Sequence, residues 1–277
     1  MKKMLFPIIT EFEWKLPYYI VGVGYSYNQE HINRPNGFPY YQWIQCRSGC
    51  GELILDNISY AITKNQGMLL FPGIPHEYYA LSEDWEVDWI IFHGQFIEDF
   101  FYRTAEIKQS GVYFISRPQS IASKIAKVYE IEQSNVPTKS IESSRLTYDI
   151  LMDILTFSSK KYDSSIVNQY SKLTPIFDYI DQNYSNTLSL TELSQVANIT
   201  PQHLCNSFKK LTTHTVSEYI NLTRIKKSKE LILQNSHMQI KELARLVGFN
   251  DVSYFCSTFR KVEHMSPMEF KKLHVYK

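Results

Sequence analysis

Short apolar runs separated by turn residues characterise residues 18–92. Pairs such as Ser48-Gly49, Asp56-Asn57 and Pro72-Gly73 punctuate this stretch, and such punctuation is typical of β-structure. The runs rich in aromatic or β-branched residues, which we predict to be strands, are Tyr41–Cys46, Glu52–Leu55, Ser59–Ile62, Met68–Phe71 and Val87–Phe92. Many short strands at close spacing indicate an antiparallel sandwich or barrel.

The apolar period becomes helical between Ser120 and Ser159, and Asn135-Val136-Pro137 divides this region into two stretches. The sequence therefore predicts a helical hairpin. It leaves two roles open for the hairpin, namely packing on its own barrel or forming a dimer interface. The apolar positions at helical spacing are Ile121, Ile125 and Val128 in the first stretch, and Ile141, Tyr148, Met152 and Leu155 in the second.

A polar, serine-rich segment follows at 161–172 and is predicted to be an interdomain linker. Thr174-Pro175 is expected to open the next helix, because proline suits a first helical turn. The predicted fold is α+β with two domains, a β-barrel with its helical hairpin and an all-α domain. The predicted boundaries are 1–115 for the barrel, 116–160 for the hairpin, 161–172 for the linker and 173–277 for the all-α domain.

The all-α part contains an internal repeat. Thr191–Val196 followed by Phe208-Lys209-Lys210 resembles Lys241–Leu246 followed by Phe259-Arg260-Lys261. Each copy reads as a short helix, a tight turn and a second helix. The turns are expected at Asn198-Ile199 and Gly248-Phe249, since Asn and Gly tolerate the left-handed backbone. The second helices are expected to begin at Thr200-Pro201 and Asn250-Asp251.

Apolar positions predict how each repeat packs. Leu193 and Val196 should pack on Leu204 and Phe208 in copy one. The corresponding expectation for copy two pairs Leu243 and Leu246 with Phe255 and Phe259. A linking helix from Val216 to Leu233, about 25 Å long at 1.5 Å per residue, would place the two second helices about 34 Å apart, one turn of DNA.

The charge distribution agrees with a nucleic-acid partner for the second half. Residues 1–165 carry 15 basic and 19 acidic side chains, whereas residues 166–277 carry 14 basic and 9 acidic ones. A basic half joined to an acidic half is typical of a DNA-binding domain beside a regulatory one. A surplus of this size is also common on ordinary domains.

Metal, redox and membrane chemistry are not expected. Cys46 and Cys50 bracket a predicted turn, which leaves a disulfide or half of a metal site as alternatives. No second Cys/His pair lies at zinc spacing, so we predict free thiols for these two and for Cys205 and Cys256. No His-x-His pair, phosphate loop or nucleophile elbow occurs, so neither a cofactor nor an enzymatic activity is predicted. No run of about 18 apolar residues and no signal peptide is evident, which predicts a cytoplasmic protein.

Three unusual sequence segments place candidate ligand contacts on strands of the predicted barrel. They are Arg34–Gly37, Phe71–Tyr78 and Trp85–Gly94, and they supply an arginine, a histidine, a tyrosine and two tryptophans. Aromatic faces can stack on the C–H groups of a sugar ring, and Arg, Tyr and His can hydrogen-bond its hydroxyls. A purely apolar effector would not require Arg34.

About the last 100 residues closely resemble the DNA-binding domain of the AraC/XylS family of bacterial transcription regulators. The resemblance rests on Arg224-Ile225, Gly248–Phe255, Phe259-Arg260-Lys261 and Ser266–Phe270. The sequence departs from the family pattern at three positions. Thr213 and His264 stand where glycine is usual, and Ser257 stands where a basic residue is common.

The resemblance implies double-stranded DNA as a partner and assigns residues to it. Gln and Asn favour adenine, and Val or Ser can contact a thymine methyl, so we expect an A·T-rich site. For any single lysine, a solvated surface is the alternative to a phosphate contact. The implied base contacts are Gln202, Cys205, Asn206, Val252, Ser253, Cys256 and Ser257, and the implied phosphate contacts are Lys209, Lys210, Arg260 and Lys261.

Residues 15–115 resemble the cupin-like effector-binding arm of the same family. In a sugar-responsive member of the family, the ligand contacts lie in the corresponding segments. This implies ligand contacts from Arg34, Tyr78 and Trp89, with His76 and Val87 nearby. Val87 replaces a histidine of that member, so the ligand's hydrogen-bond pattern should differ. For Tyr78, Trp89 and His76 the alternative is a place in the barrel core, and Trp85 is expected to be structural.

These expectations combine into a sugar-responsive transcription regulator, an activator and homodimer that would contact RNA polymerase as the family does. A first alternative is a regulator of the same family without a small-molecule ligand, controlled by a protein partner or constitutively active. A second is a cupin-type sugar-modifying enzyme fused to a DNA-binding tail, which the missing metal ligands disfavour.

Overall fold

The computed structural model describes residues 3–160, 166–235 and 237–274. Contacts within it divide the chain into two units, Met1–Val167 and Asn168–Lys277. The first unit is rich in β-sheet and the second is helical, which confirms the predicted two-domain organisation.

Two antiparallel sheets form the frame of the first unit. The seven-stranded sheet has the order β1-β2-β9-β4-β7-β10-β11 and the four-stranded sheet the order β3-β8-β5-β6. The five predicted strands correspond to β4, β5, β6, β7 and β9. The strands are β1 Met4–Leu5, β2 Tyr19–Asn28, β3 Ile32–Arg34, β4 Tyr41–Ser48, β5 Gly51–Leu55, β6 Ile58–Ile62, β7 Gln66–Leu70, β8 His76–Ala80, β9 Glu86–His93, β10 Gly111–Ile115 and β11 Ser158–Ser159.

Alternation along the strands buries the larger sheet on both faces. In β4 and β9, Ile44 and Trp89 belong to the core shared with the smaller sheet, whereas Trp43 and Ile90 belong to the core on the opposite face. Successive side chains of a strand point to opposite sides. A strand covered on both sides therefore reads as a continuous apolar run.

Helices cover the outer face of the seven-stranded sheet. Buried apolar residues of the two long helices join the core on that face, so the hairpin packs on its own sheet. The helical segments of this unit are α1 Glu11–Lys15, α2 Ile97–Asp99, a π-helical turn Phe100–Thr104, α3 Pro118–Gln133 and α4 Lys139–Phe157.

The predicted apolar face of α4 is wrong at its N-terminal half. Ile141 is 53% exposed and Tyr148 is 45% exposed, and the small polar residues Ser143 and Thr147 are buried instead. The Thr147 hydroxyl has a partner, since Thr147 Oγ1 donates to the Ser143 carbonyl, whereas the Ser143 hydroxyl is buried without one among the described residues. Apolar spacing alone does not identify a buried face that consists of small polar residues.

The second unit consists of seven helices in its described residues. The first begins at Ile166, so the predicted start at Thr174-Pro175 is wrong and residues 166–172 of the expected linker are helical; residues 161–165 lie outside the described residues. Pro175 lies inside this helix, and a proline there removes one backbone hydrogen bond. The buried side chains of Leu173, Ile176 and Ile180 stabilise the helix despite that loss. The helices are α5 Ile166–Asn183, α6 Leu190–Val196, α7 Pro201–Thr212, α8 Val216–Gln234, α9 Ile240–Leu246, α10 Val252–Glu263 and α11 Pro267–His274.

Each repeat has its own small core. In the first, Leu193, Leu204 and Phe208 are fully buried, as predicted, and Val196 is only half-buried. The burial of each such side chain contributes about 1.5–3 kcal/mol.

In the second repeat, Leu243, Phe255 and Phe259 are buried as predicted. Leu246 is 49% exposed, which contradicts the prediction, and Val247 is fully buried in its place. α9 ends at Leu246 and Val247 already has non-helical backbone angles. The helical spacing used for the prediction therefore does not extend to this position.

Candidate DNA-binding surface and ligand cavity

The turn in each repeat has the left-handed backbone that the sequence predicts. Asn198 has φ 52° and Gly248 has φ 90°. Gly248 also approaches another backbone segment, since a Cβ atom there would lie 2.6 Å from the Ser185 carbonyl oxygen. Both the turn and the close approach require glycine in the second copy.

Side-chain caps start the second helix of each repeat at matching positions. Thr200 Oγ1 accepts a hydrogen bond from the His203 N–H at 3.2 Å, and Asp251 Oδ1 accepts one from the Tyr254 N–H at 2.6 Å. Each cap satisfies an N–H group that the helix cannot pair internally. α7 and α10 consequently begin alike and both span 12 residues.

Both helices also end in the left-handed conformation, although neither has glycine there. Thr213 has φ 62° and His264 has φ 58°. Their N–H groups donate to the carbonyls of Lys209 at 3.0 Å and Arg260 at 2.9 Å. The departure from the usual glycine therefore leaves the C-cap intact, at a cost of roughly 1–2 kcal/mol per residue in left-handed strain.

The polar side chains assigned to base contacts in α7 lie on one exposed face. Gln202 and Asn206 are exposed and Cys205 is half-buried between them. Gln202 Nε2 donates to Asn206 Oδ1 at 3.3 Å. These two amides are one helical turn apart and present donors and acceptors in the pattern that reads adenine.

In α10, Ser253 and Ser257 are exposed while Val252 and Cys256 are half-buried. Sequence reasoning missed Tyr254, which is exposed and whose hydroxyl accepts a hydrogen bond from Asn221 Nδ2 of α8 at 3.1 Å. Its position in the first turn of α10 could have identified it from the sequence, because the first-turn residues of a recognition helix are the ones nearest the bases.

Basic residues project from the last turns of α7 and α10. All four are exposed, and none forms an ion pair with a carboxylate in the described part of the chain. Other lysines of this unit are paired, since Lys227 lies 3.4 Å from Asp181 and Lys229 lies 2.6 Å from Glu263. The four basic residues free of such pairing are Lys209, Lys210, Arg260 and Lys261.

α8 connects the two repeats and is held by Arg224. Its 19 residues span about 28 Å at 1.5 Å per residue. Arg224 Nε donates to the Tyr184 carbonyl at 2.7 Å and Nη2 donates to the Asn186 carbonyl at 2.9 Å. Its guanidinium lies 5.5 Å from the centre of the Phe249 ring. Arg224 therefore joins α8 to the segment that precedes α6 and to the turn of the second repeat.

A cavity of about 170 Å³ lies between the two sheets of the first unit. Its wall is mostly apolar, with a few polar groups from β2, β3, β4 and β8. No aspartate or glutamate is among the residues that line it, which are Met4, Phe6, Tyr27, Gln29, Ile32, Arg34, Gln42, Ile44, Tyr78, Trp89 and Ile91.

Three of the five predicted ligand residues border this cavity, namely Arg34, Tyr78 and Trp89. His76 does not border it; its Nδ1 lies 2.7 Å from the Ile74 carbonyl oxygen and burial lowers its pKa. Val87 is fully buried in the core between the sheets and does not border the cavity either. Trp85, expected to be structural, is completely buried in the same core.

Arg34 is held at the cavity by a partner that sequence reasoning missed. Its Nη1 donates to Gln42 Oε1 at 2.6 Å, and its guanidinium lies 3.9 Å from the centre of the Phe38 ring. Burial lowers its pKa from the ordinary value, and no carboxylate of the described residues pairs with it. The available signal for Gln42 was alternation, which places it on the same face of β4 as Ile44.

Two further polar groups of the cavity are neutral. Burial raises the pKa of Tyr78 to about 12, although the nearby Arg34 acts in the opposite direction. Gln42 is 1% exposed, and its Nε2 has no hydrogen-bond partner among the described residues. The cavity therefore presents a phenol, an amide and a guanidinium on an otherwise apolar wall.

No group of three His, Cys, Asp or Glu side chains is placed to hold a metal ion within residues 3–160, 166–235 and 237–274. No helix in these ranges is long and apolar enough to cross a bilayer. All four cysteines are free thiols, as predicted.

Two family models match the sequence. The model described as a helix-turn-helix domain matches residues 193–273, and the one described as an AraC-like ligand binding domain matches residues 17–151. The second therefore contains nine of the eleven residues that line the cavity, and the first contains the second repeat and all of the first repeat from Leu193 onwards. Together they cover most of the chain.

The chain is similar to several known proteins over part or most of its length. The chain is 37% identical over 97 residues to the uncharacterized HTH-type transcriptional regulator YijO of Escherichia coli, covering 35% of this chain and 34% of YijO. It is 24% identical over 229 residues to the Msm operon regulatory protein of Streptococcus mutans, covering 81% of each. A transcriptional regulator of Chromobacterium violaceum with an AraC-type DNA-binding domain, known by crystal structure, is 21% identical with a TM-score of 0.37, over 39% of this chain and 96% of that one.

The chain spans about a third of the length of several curated relatives it matches, YijO among them. These relatives are transcriptional regulators. On the two family models, the chain belongs to the AraC family of transcriptional regulators.

Proposed function

We propose that this protein is a sequence-specific DNA-binding transcription regulator that reads two successive major-groove segments through α7 and α10. The observation that carries the proposal is the pair of matched helix-turn-helix units, each with a side-chain cap at the start of its second helix and exposed basic residues at the end of that helix. A helix-turn-helix places its second helix in the major groove. The 28 Å of α8 and half the width of each unit fit one turn of DNA.

We assign base contacts to seven residues of these helices. Gln202 and Asn206 would take adenines, and Val252 and Ser253 would meet thymine methyl groups, which predicts an A·T-rich site at these steps. The remaining assigned contacts are Cys205 on α7 and Cys256 and Ser257 on α10. Selection of binding sites from random DNA tests the assignment, and a selected motif with G·C at those steps would contradict it.

The phosphate contacts have a quantitative test. Each phosphate neutralised contributes about 0.9 to the slope of log K against log salt concentration, so the double substitution of Lys209 and Lys210 by alanine should reduce the slope by about two. A matched control is the double substitution of Lys64 and Lys108 by alanine, two exposed lysines of the first unit. An unchanged slope in the first variant, or an equal reduction in the control, would remove these lysines from the interface.

Control by a small sugar in the cavity completes the proposal. Trp89 and Phe6 offer ring faces for sugar C–H groups, and Arg34 and Tyr78 offer polar contacts. Effector and DNA binding would be coupled through the N-terminal residues that line the cavity or through α3 and α4. Such coupling must be reciprocal, so operator DNA should change sugar affinity by the factor by which sugar changes operator affinity. If sugars leave both operator affinity and transcription unchanged, this part of the proposal fails.

The oligomeric state and the effect on transcription are proposed from the family resemblance. The protein would act in the cytoplasm as a homodimeric activator that contacts RNA polymerase. Sedimentation of the full chain at several concentrations tests the dimer. In vitro transcription from a selected site tests activation, with repression as the contrary outcome.

A further inference from the structure

We infer that the effector of the cavity between the sheets is a small carboxylic acid, and that its carboxylate is bound by Arg34 and Gln42. The inference deepens the proposed function and rests on it insofar as the cavity is the effector site. A sugar acid satisfies both proposals, whereas a neutral sugar satisfies only the earlier one.

The first observation is the charge on Arg34. Its guanidinium is half-buried beside the cavity, carries five N–H donors and no acceptor, and uses Nη1 on Gln42 Oε1 at 2.6 Å. No carboxylate of the described residues pairs with it. Buried or partly buried charges are ordinarily paired, so the structure leaves a cation at the cavity without its counter-charge.

The second observation is the amide of Gln42. Because Arg34 can only donate, the oxygen of the Gln42 amide must face it, and this fixes Nε2 as the other end. That Nε2 is a donor with no partner in the described residues, on a side chain that is 99% buried. Buried polar groups nearly always have a partner, and Gln42 is among the residues that line the cavity, so we assign this second donor to ligand recognition.

The third observation is the shortage of acceptors. The lining includes no aspartate or glutamate, and Gln42 Oε1 is engaged by Arg34. The side-chain acceptors left on the wall are neutral, namely the hydroxyls of Tyr27 and Tyr78 and the amide oxygen of Gln29. Every hydroxyl of a neutral sugar brings a proton that needs an acceptor. A carboxylate brings only acceptors, and two oxygens can engage Arg34 and Gln42 together.

The remaining wall limits what the carboxylate is attached to. Phe6, Ile44, Trp89 and Ile91 are apolar or aromatic and line the same cavity. The cavity has a volume of about 170 Å³, which is room for one ring or a short chain. The ligand is therefore a compact acid with one ring or a short chain, and an inorganic anion would leave the apolar wall without contacts.

Pairs of ligands that differ only in the acid group test the inference on the full chain. The pairs are glucuronate with glucose, galacturonate with galactose, and benzoate with benzyl alcohol, each at millimolar concentration. We expect one or more acids to raise the melting temperature and to change tryptophan fluorescence, and we expect its neutral partner to do neither. The sugar pairs and the benzoate pair distinguish a sugar acid from another ring acid.

The matched variants are Gln42→Glu and Gln119→Glu. Gln42→Glu keeps an oxygen facing Arg34 and replaces the unpartnered donor with an acceptor, so the charge of Arg34 is balanced and the fold is retained. We expect acid binding to weaken tenfold or more, which is the loss typical of a hydrogen bond to a charged group, and neutral sugars to gain relative to acids. Gln119→Glu adds the same charge at an exposed site of α3 and should leave binding unchanged.

The outcomes separate the two proposals. Stabilisation by a neutral sugar as strong as by its acid, no stabilisation by any of the acids, or acid binding that survives Gln42→Glu would each overturn the inference. Stabilisation by neutral sugars alone would leave the sugar-responsive proposal standing. Acid binding that Gln42→Glu abolishes, without any effect on operator affinity, would support the binding of a carboxylate by Arg34 and Gln42 and refute its role as an effector.

Discussion

Replacing the two non-glycine C-cap residues with glycine should stabilise the DNA-binding unit. Thr213 and His264 end α7 and α10 with φ near 60°, where an L-residue costs roughly 1–2 kcal/mol. Glycine removes that strain and adds roughly 0.5–1 kcal/mol of chain entropy to the unfolded state. The net expectation is about 0.5–1 kcal/mol per site, hence about 1–2 kcal/mol for the double variant if the sites are additive.

The assay can observe the second unit separately. All four tryptophans, Trp14, Trp43, Trp85 and Trp89, precede residue 90, so tryptophan fluorescence reports only the first unit. Helical circular dichroism includes the second, whose residues 168–277 would unfold with about 0.23 kcal/mol/K of entropy. The double variant should therefore raise the transition seen by circular dichroism by about 4–8 °C and leave the fluorescence transition in place.

A control of opposite sign is available in the same unit. Ser217 is exposed in the first turn of α8. The substitution Ser217→Gly should lower the free energy of unfolding of this unit by roughly 0.5 kcal/mol. If the double glycine variant at Thr213 and His264 is unchanged or less stable while Ser217→Gly behaves as expected, the assignment of left-handed strain to the two caps is refuted.

Three further predictions concern other parts of the molecule. Gly24→Ala should destabilise the first unit by about 1–3 kcal/mol and shift tryptophan emission, because the new Cβ would lie 2.2 Å from Trp89 Nε1; normal melting and emission would contradict this. Burial raises the pKa of Glu13, but hydrogen bonds led by the one from Ser140 outweigh burial and lower the pKa to about 2. A depressed pKa gives stability that is present above the unfolded value of about 4.5 and is lost as the pH falls towards 2; the stability advantage over Glu13→Gln should therefore vanish across that range, and an advantage independent of pH would contradict it. Gln202→Ala should weaken binding by about 1–3 kcal/mol at an adenine step and relax specificity there, whereas a uniform loss over all sequences would indicate a phosphate contact instead.

The sequence alone was sufficient for the features of the second unit that depend on near neighbours. The turns at Asn198 and Gly248 and the caps at Thr200 and Asp251 lie where the local pattern predicts them. A cap or a left-handed turn involves residues within three or four positions of each other. The information needed to predict a cap or a turn is therefore contiguous in the sequence, and it occurs twice because the pattern is repeated.

Positions at which an element ends, or at which small polar residues are buried, could not be predicted in this way. Leu246 and Val247 exchange roles because α9 stops between them. Tyr148 is exposed because α4 turns its serine and threonine face to the sheet. Helical spacing ranks positions by apolarity alone, whereas the burial of Ser143 and Thr147 depends on which face of α4 packs on the sheet.

The cavity is the clearest division between the two kinds of information. The sequence by itself determined that β-strands, an arginine and aromatic residues occur together in one domain, and that two reading helices occur in the other. Only the tertiary structure placed Arg34 on Gln42, left the Gln42 Nε2 without a partner and kept Val87 away from the cavity. The physical reason is that β3, β4 and β8 belong to two different sheets, so the donors that meet at the cavity are brought together by packing between the sheets and not by their spacing along the chain.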